Sequence, residues 1–212
     1  MERRDFVRYC SGLMAMGLSP VAVRANEGIR VIRGNPDVDH TSASNVRVRS
    51  KKRHVVVAVK KNVFLVSPDS EVHFEHDESF LLSATRLIAG GIHSVFDPEE
   101  TQPRAVSTPH VTAAIRGTGH YAEVQKELDR SYSCCCYGDI HLRSRHGHFE
   151  ESQSTSYHDA RVIGRDGQIL EAPYDIPLNH YDDSLVYLES QAGREPHWDH
   201  PNPPGFQAPF EL

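Results

Sequence analysis

From residue 26 to about residue 142, short apolar runs rich in β-branched and aromatic residues alternate with turn residues. No other feature of the chain constrains its fold as much. Residues 28–33 (Gly-Ile-Arg-Val-Ile-Arg) alternate apolar and polar side chains until Gly34-Asn35-Pro36-Asp37 interrupts them. Residues 55–59, 63–66 and 71–74 follow. Lys60-Lys61-Asn62 and Ser67-Pro68-Asp69-Ser70 separate them and read as hairpin turns. Residues 80–89 continue the series, Gly90-Gly91 reads as a turn, and residues 92–96 form the next strand before Asp97-Pro98. Strands of about 4 to 6 residues recurring about every 8 to 12 predict an all-β chain: a sandwich, a roll or a short β-solenoid.

Beyond residue 142 the pattern changes. Residues 144–156 are polar and rich in His, Ser and Glu, and read as a loop. Residues 162–170 read as a hairpin turning at Arg165-Asp166-Gly167. Residues 183–192 predict one short C-terminal helix, with Asp182 or Asp183 capping its start and Gly193 at C′. Its Leu185, Tyr187, Leu188 and Ala192 form an apolar face able to close over the β core. Residues 196–212, with their prolines, read as an extended tail.

The amino-terminal residues read as an address. Arg3-Arg4-Asp5-Phe6-Val7-Arg8 follows the twin-arginine export pattern, a moderately apolar run extends to Ala22, and Val23-Arg24-Ala25 suits a signal peptidase. Residues 1–25 are therefore expected to be a twin-arginine signal peptide and the mature protein to be periplasmic, without Cys10. No run approaches the roughly 20 apolar residues of a membrane helix, so no transmembrane anchor is expected. With 29 acidic against 23 basic residues the net charge is -6, which argues against a nucleic-acid partner. The basic run from Arg47 to Arg53 reads as a solvated strand edge or loop.

Val106-Ser-Thr-Pro-His-Val-Thr-Ala-Ala-Ile-Arg-Gly-Thr-Gly119, the strand Tyr121–Val124 after it, and Asn62–Val66 with Ser70-Glu-Val72 upstream resemble the FecR domain family over roughly residues 28–142. Taken alone, Arg116-Gly117-Thr118-Gly119 reads as a turn. The resemblance implies a periplasmic all-β module at residues 26–142, followed by an extension at residues 143–195. It implies a part in regulation or recognition at the envelope, with a periplasmic protein or envelope partner. The founding members' transmembrane anti-sigma role is not carried over, because this chain has no matching span or cytosolic segment.

Cys134-Cys135-Cys136 lies in an expected strand, where alternate residues face one way, so Cys134 and Cys136 share a face and Cys135 points oppositely. Two thiolates so placed can ligate one metal ion, and sulfur with imidazole suits zinc first, copper or an iron–sulfur cluster less often. His158 and His180 are the best-placed partners, with His141, His146 and His148 as rivals. A secreted subgroup that this chain resembles carries Cys-x-Cys-Tyr-Gly, His-x-Ala-Arg and His-x-Asp, matched here from Cys134 to Gly138, from His158 to Arg161 and from His180 to Asp182. That resemblance implies a Cys2His2 set of Cys134, Cys136, His158 and His180. Asp182 is placed to orient His180, as carboxylates commonly do behind ligating imidazoles. Other arrangements stay open: a disulfide, although residues i and i+2 of a strand lie near its limit of roughly 6 to 7 Å between Cα atoms, cysteines as small core residues, and ordinary surface histidines. For an enzyme, Asp159, Asp182 and Glu189 are nominal bases, but no catalytic motif groups them.

Overall fold

The structure is a computed structural model and describes residues 28–79, 81–170 and 178–197. The expected signal peptide and nearly all of the Pro-rich tail lie outside the described residues. The protein is mostly β, 57% strand, with a closed barrel-like core. In chain order the strands are β1 Arg30–Arg33, β2 Asp37–Ser42, β3 Asn45–Arg49, β4 Val55–Val59, β5 Asn62–Val66, β6 Glu71–His76 and β7 Leu82–Val95. There follow β8 Arg104–Ser107, β9 Val111–Gln125, β10 Arg130–Ser144, β11 Glu150–Thr155, β12 Asp159–Gly164, β13 Ile169–Leu170 and the helix α1 Asp182–Gln191.

Three long strands tie the architecture together by changing partners midway. The first half of β7 pairs with β6 and, in parallel, with β8, and its second half pairs with β5 and β9. β9 pairs with β8 over Thr112–Ile115 and with β7 over Gly119–Val124, and runs beside β10 throughout. β10 in turn pairs with β12 over its first residues and with β11 over its last. This accounts for two corrections. Gly90-Gly91 is not a turn but a bend inside β7, where Gly90 (φ 74) presses on Ser70 and Ser70 Oγ accepts the Gly91 N–H at 2.9 Å. Likewise Arg116–Gly119 is not a turn, because β9 runs through it as it passes from β8 to β7. Residues 150–155, expected as loop, form β11 because the second half of β10 offers them an unpaired edge.

β4 and β5 are buried at every residue. An antiparallel sheet with one wet face shows alternation instead, so these strands must be covered on both sides. Val55, Val57, Val59, Phe64 and Val66 face the main core, together with Phe74, Leu87, Ile140 and Leu142. Val56, Ala58, Val63 and Leu65 face the other way and pack with Val95, Tyr132, Val162 and the α1 residues Leu185 and Leu188. The C-terminal segment is thus the second cover of the sheet. The helix begins at Asp182, as foreseen to within a residue, but neither aspartate caps it: Tyr181 is the N-cap and makes no side-chain cap bond. Gly193 (φ 74) ends it, with the Arg194 N–H donating to Glu189 O at 2.9 Å. The hairpin of β12 and β13 forms as expected, with Gly167 (φ 77) in its turn.

Candidate metal centre

The face of the sheet beneath the C-terminal segment carries the chemistry. His93 on β7 lies beside Tyr121 on β9, Tyr121 beside Cys134 on β10, and Cys134 beside Ala160 on β12. The period of two puts Cys134 and Cys136 on this face, while Cys135 joins the main core between the sheet layers. The ladder between β9 and β10 shifts register around Cys136 and Tyr137. Gly119, opposite Tyr137, has no room for a side chain: a Cβ there would stand 2.5 Å from the tyrosine ring. All three cysteines are buried free thiols, so a disulfide is not formed.

Two further segments bring the imidazoles. The turn before β12 carries His158, whose N–H donates to Cys136 O at 2.9 Å and whose φ of 27 is rare for a residue with a side chain. The turn before α1 carries His180, next to Asn179 at φ 54. Ligand atoms of Cys134, Cys136, His158 and His180 all lie within 4.8 Å of one another, so these four side chains could hold one metal ion. His158 Nδ1 stands 3.4 Å from Cys134 Sγ and 3.3 Å from His180 Nε2. The site is closed over by aromatic rings, with Tyr121 stacked on His180 at 4.3 Å between centroids and Tyr157 edge-on to His158.

Each imidazole spends its other nitrogen on a fixed acceptor. His158 Nε2 donates to Asp182 Oδ1 at 2.9 Å, and His180 Nδ1 donates to the Leu178 carbonyl at 2.7 Å. Asp182 therefore orients His158, not His180 as the sequence suggested. It is held by Tyr157 as well, whose hydroxyl donates to Oδ2 at 2.9 Å. This also explains the uncapped helix: the Asp182 carboxylate is turned into the site. With those N–H groups committed, His158 Nδ1 and His180 Nε2 are turned toward each other and toward the thiols. At 3.3 Å a proton on His158 Nδ1 bridges the two nitrogens in the empty cluster, and a metal ion would take that proton's place.

The protonation of the metal-free cluster follows. Burial pushes both thiols up, but hydrogen bonding from Cys136 together with His180 and His158 outweighs it at Cys134 and brings that thiol well below its ordinary value. Cys136, buried beside the Cys134 thiolate, is pushed well above its own. Burial works to lower His158, yet Asp182 and Cys134 overcome it and raise the imidazole to about 9. Burial likewise opposes ionisation of Asp182, and the bonds from His158 and Tyr157 outweigh it, holding the carboxyl below its usual range. The empty cluster thus pairs a thiolate with an imidazolium that an Asp carboxylate supports.

The rival histidines lie elsewhere: His141 bonds Ser152 at 2.9 Å and Glu150 at 2.7 Å, and the rings of His146 and His148 are 6.4 Å apart in the turn leading to β11. Sequence reasoning missed His93, fully enclosed with Nε2 3.5 Å from Cys136 Sγ and Nδ1 2.8 Å from Ser184 Oγ. Its signal was a histidine inside the apolar run of residues 92–96. The nominal bases are committed to other partners: Asp159 to Arg161, Asp182 to His158 and Tyr157, and Glu189 to Tyr137 and to Arg194 at 2.7 Å. Ser131, His110 and Asp129 form a chain reminiscent of a hydrolase triad, with 2.8 Å and 3.3 Å contacts. Ser131 is wholly buried, however, and no substrate can reach it.

If the cluster holds a metal ion and Asp182 sets the His158 ring, Asp182→Asn should weaken its binding by about 10- to 100-fold, the range seen when a carboxylate behind a ligating imidazole is removed. Competition with a chromophoric chelator measures this, and an unchanged affinity would remove Asp182 from the site.

No family model and no curated protein matches the sequence. Among solved structures the fold is similar to that of a provisionally assigned anti-sigma factor from Parabacteroides distasonis ATCC 8503, with a TM-score of 0.51 and 11% identity, covering 68% of this chain and 72% of that one. A second structure under the same description, from the same organism, gives a TM-score of 0.49 and 12% identity, over 68% of this chain and 64% of that one. At such identity the first likeness is one of fold. Among the described residues no helix is long and apolar enough to cross a membrane.

Proposed function

We propose that this protein is an exported, FecR-like periplasmic β module that holds one structural zinc ion through Cys134, Cys136, His158 and His180. The observation that carries the metal is the convergence of two thiols and two imidazole nitrogens, all within 4.8 Å of one another. With Zn–N of about 2.0–2.1 Å and Zn–S of about 2.3 Å, a tetrahedral ion sets nitrogen from nitrogen at about 3.3 Å and sulfur from nitrogen at about 3.6 Å. The separations of 3.3 Å and 3.4 Å suit those edges. A two-iron cluster divides its sulfur and imidazole ligands between two irons, which disfavours that alternative where Cys134 Sγ and His158 Nδ1 stand 3.4 Å apart. Two thiolates and two imidazoles also suit zinc better than copper, whose electron-transfer sites take one thiolate. Four protein donors leave no open position, which favours a structural ion over a catalytic one.

The family and location rest on the residues named above, and the likeness to a provisionally assigned anti-sigma factor supports the all-β fold of that reading alone. In that reading the module serves regulation or recognition at the envelope, with a periplasmic protein or envelope component as partner. Metal analysis of untagged protein should find one zinc per chain, with no visible absorption band, and loss of the zinc in both Cys134→Ser and His158→Ala. Retention of the metal by both variants would sink the ligand set. Loading before export would also protect the thiols, since the twin-arginine route carries folded proteins. A Cys134→Ala, Cys136→Ala double variant is therefore expected to reach the periplasm at a clearly reduced level by cell fractionation. A normal level would leave the signal as an address alone.

A further inference from the structure

The basic run ends, as expected, in an exposed loop between β3 and β4, and it has no place in the metal site. Together with the turn between β1 and β2 it borders an open concavity of about 580 Å³ lined mostly by exposed residues. Arg33, Lys51, Lys52 and Arg53 are among its lining residues, with Asn35 and His54 and without any Asp or Glu, although the surface they present to it is largely apolar. The two walls are pressed together. Gly34 has φ 89, and a Cβ on it would stand 2.7 Å from Val55 Cγ1 and 3.1 Å from the His54 carbonyl. Glycine at this point holds the turn against the loop and so keeps Arg33 beside residues 51–53.

These cations are poorly neutralised. Lys51 has Asp37 at 3.2 Å, but both side chains are substantially exposed and such a pair contributes little. Arg33, Lys52 and Arg53 make no ion pair among the described residues. A chain of net charge -6 thus concentrates four like charges around one concavity. Like charges held together repel, and a multivalent anion relieves that repulsion. Two guanidinium forks grip phosphate oxygens in pairs, and two ammonium groups add point charge. The volume falls in the range of about 300–1,000 Å³ typical of small-molecule sites and exceeds the needs of a single inorganic ion.

We propose that this cavity is a binding site for a phosphate-bearing ligand with at least two negative charges, gripped by Arg33 and Arg53 and neutralised further by Lys51 and Lys52. The proposal does not depend on the metal reading. A soluble diphosphate or phosphate ester and an anionic lipid headgroup share this chemistry, and two arms of one experiment separate them. In the first, the purified chain is titrated with inorganic pyrophosphate in low-salt buffer by calorimetry. In the second, it is sedimented with phosphatidylglycerol vesicles, with phosphatidylcholine vesicles as the reference. Saturable binding in the first arm assigns a soluble ligand, and binding in the second alone assigns a headgroup. The Arg33→Gln, Arg53→Gln variant, altered only at exposed positions, should weaken whichever binding is seen by about tenfold or more, since both forks are lost. An Arg86→Gln, Lys126→Gln variant removes two cations from outside the cavity and should change it by no more than about twofold through long-range charge. No saturable binding in either arm, or equal weakening by the two variants, would overturn the site.

Discussion

Withdrawing the proposed metal should lower the thermal midpoint of this protein by about 8–16 °C without unfolding it. An ion present at a thousandfold over its dissociation constant stabilises the folded state by about 4 kcal/mol, and a chain of this size shifts by about 2–4 °C per kcal/mol. Classical zinc fingers unfold without zinc because they lack a core of their own. Here Phe64, Phe74, Leu87, Ile140 and Leu142 are packed on the face of the sheet away from the ligands. Loss of the ion should instead release the segment that carries His180 and α1, since that segment is tied to the sheet through the cluster, the His93–Ser184 bond and the packing of Leu185 and Leu188. Differential scanning calorimetry with and without a chelator tests the shift, and limited proteolysis tests its location. New cleavage between residues 178 and 197 is expected in the chelated protein. Identical midpoints and identical digestion would show that nothing in the fold depends on a metal. The Cys134→Ala, Cys136→Ala variant should match the chelated protein and respond no further to chelator.

A second large effect is expected in acid. Burial lowers His120 to about 4, with Nε2 3.0 Å from Ser133 Oγ and Nδ1 enclosed without a partner. In the unfolded chain the same imidazole titrates near its ordinary value of about 6.5. The folded pKa lies below the unfolded one, so the unfolded state takes up the proton first. The stability contributed by a neutral His120 is therefore complete above pH 6.5 or so and drains away as the pH falls toward 4, by about 3 kcal/mol in all. His93, lowered well below its ordinary value by burial, acts in the same direction, whereas His158, raised to about 9 in the metal-free cluster, opposes both above about pH 6.5. Urea denaturation between pH 7.5 and 4.5 should show stability falling over a range in which carboxylates contribute little. His120→Gln, which can keep a polar contact with Ser133 but does not titrate, should flatten that slope by about one proton. The same slope in the variant would assign the acid sensitivity to other groups.

How much of this was legible beforehand depended on how local the cause was. The β-branched runs at 55–59 and 63–66, the turn at Arg165-Asp166-Gly167 and the helix stopped by Gly193 were all readable, because each rests on a few adjacent residues. So was the shared face of Cys134 and Cys136, which follows from the strand period alone. The bends at Gly90-Gly91 and Arg116–Gly119 were not. Glycines inside β-rich sequence signal a chain that departs from regular extension, but they do not say whether it reverses or changes sheet. That choice was made by the neighbours: Ser70 packs on Gly90 and bonds the Gly91 N–H, and β9 exchanges β8 for β7. β11 was hidden for a similar reason. Its Glu, Ser and Gln residues have little strand character, and only the open edge of β10 draws them into the ladder.

By itself the sequence determined that this chain builds strands, that two thiols project from one face of one of them, and that the C-terminal segment carries the imidazoles and an apolar helix to bring to that face. These are consequences of side-chain chemistry and of periods of two and about 3.6, which act along the chain. The tertiary structure alone decided that β4 and β5 are covered twice, that Asp182 serves His158 and leaves His180 to a carbonyl, and that His93, 43 residues before Cys136, stands against its sulfur. Those facts depend on which strands become neighbours and in what register. Burial settles that across long separations in sequence, where no local period operates.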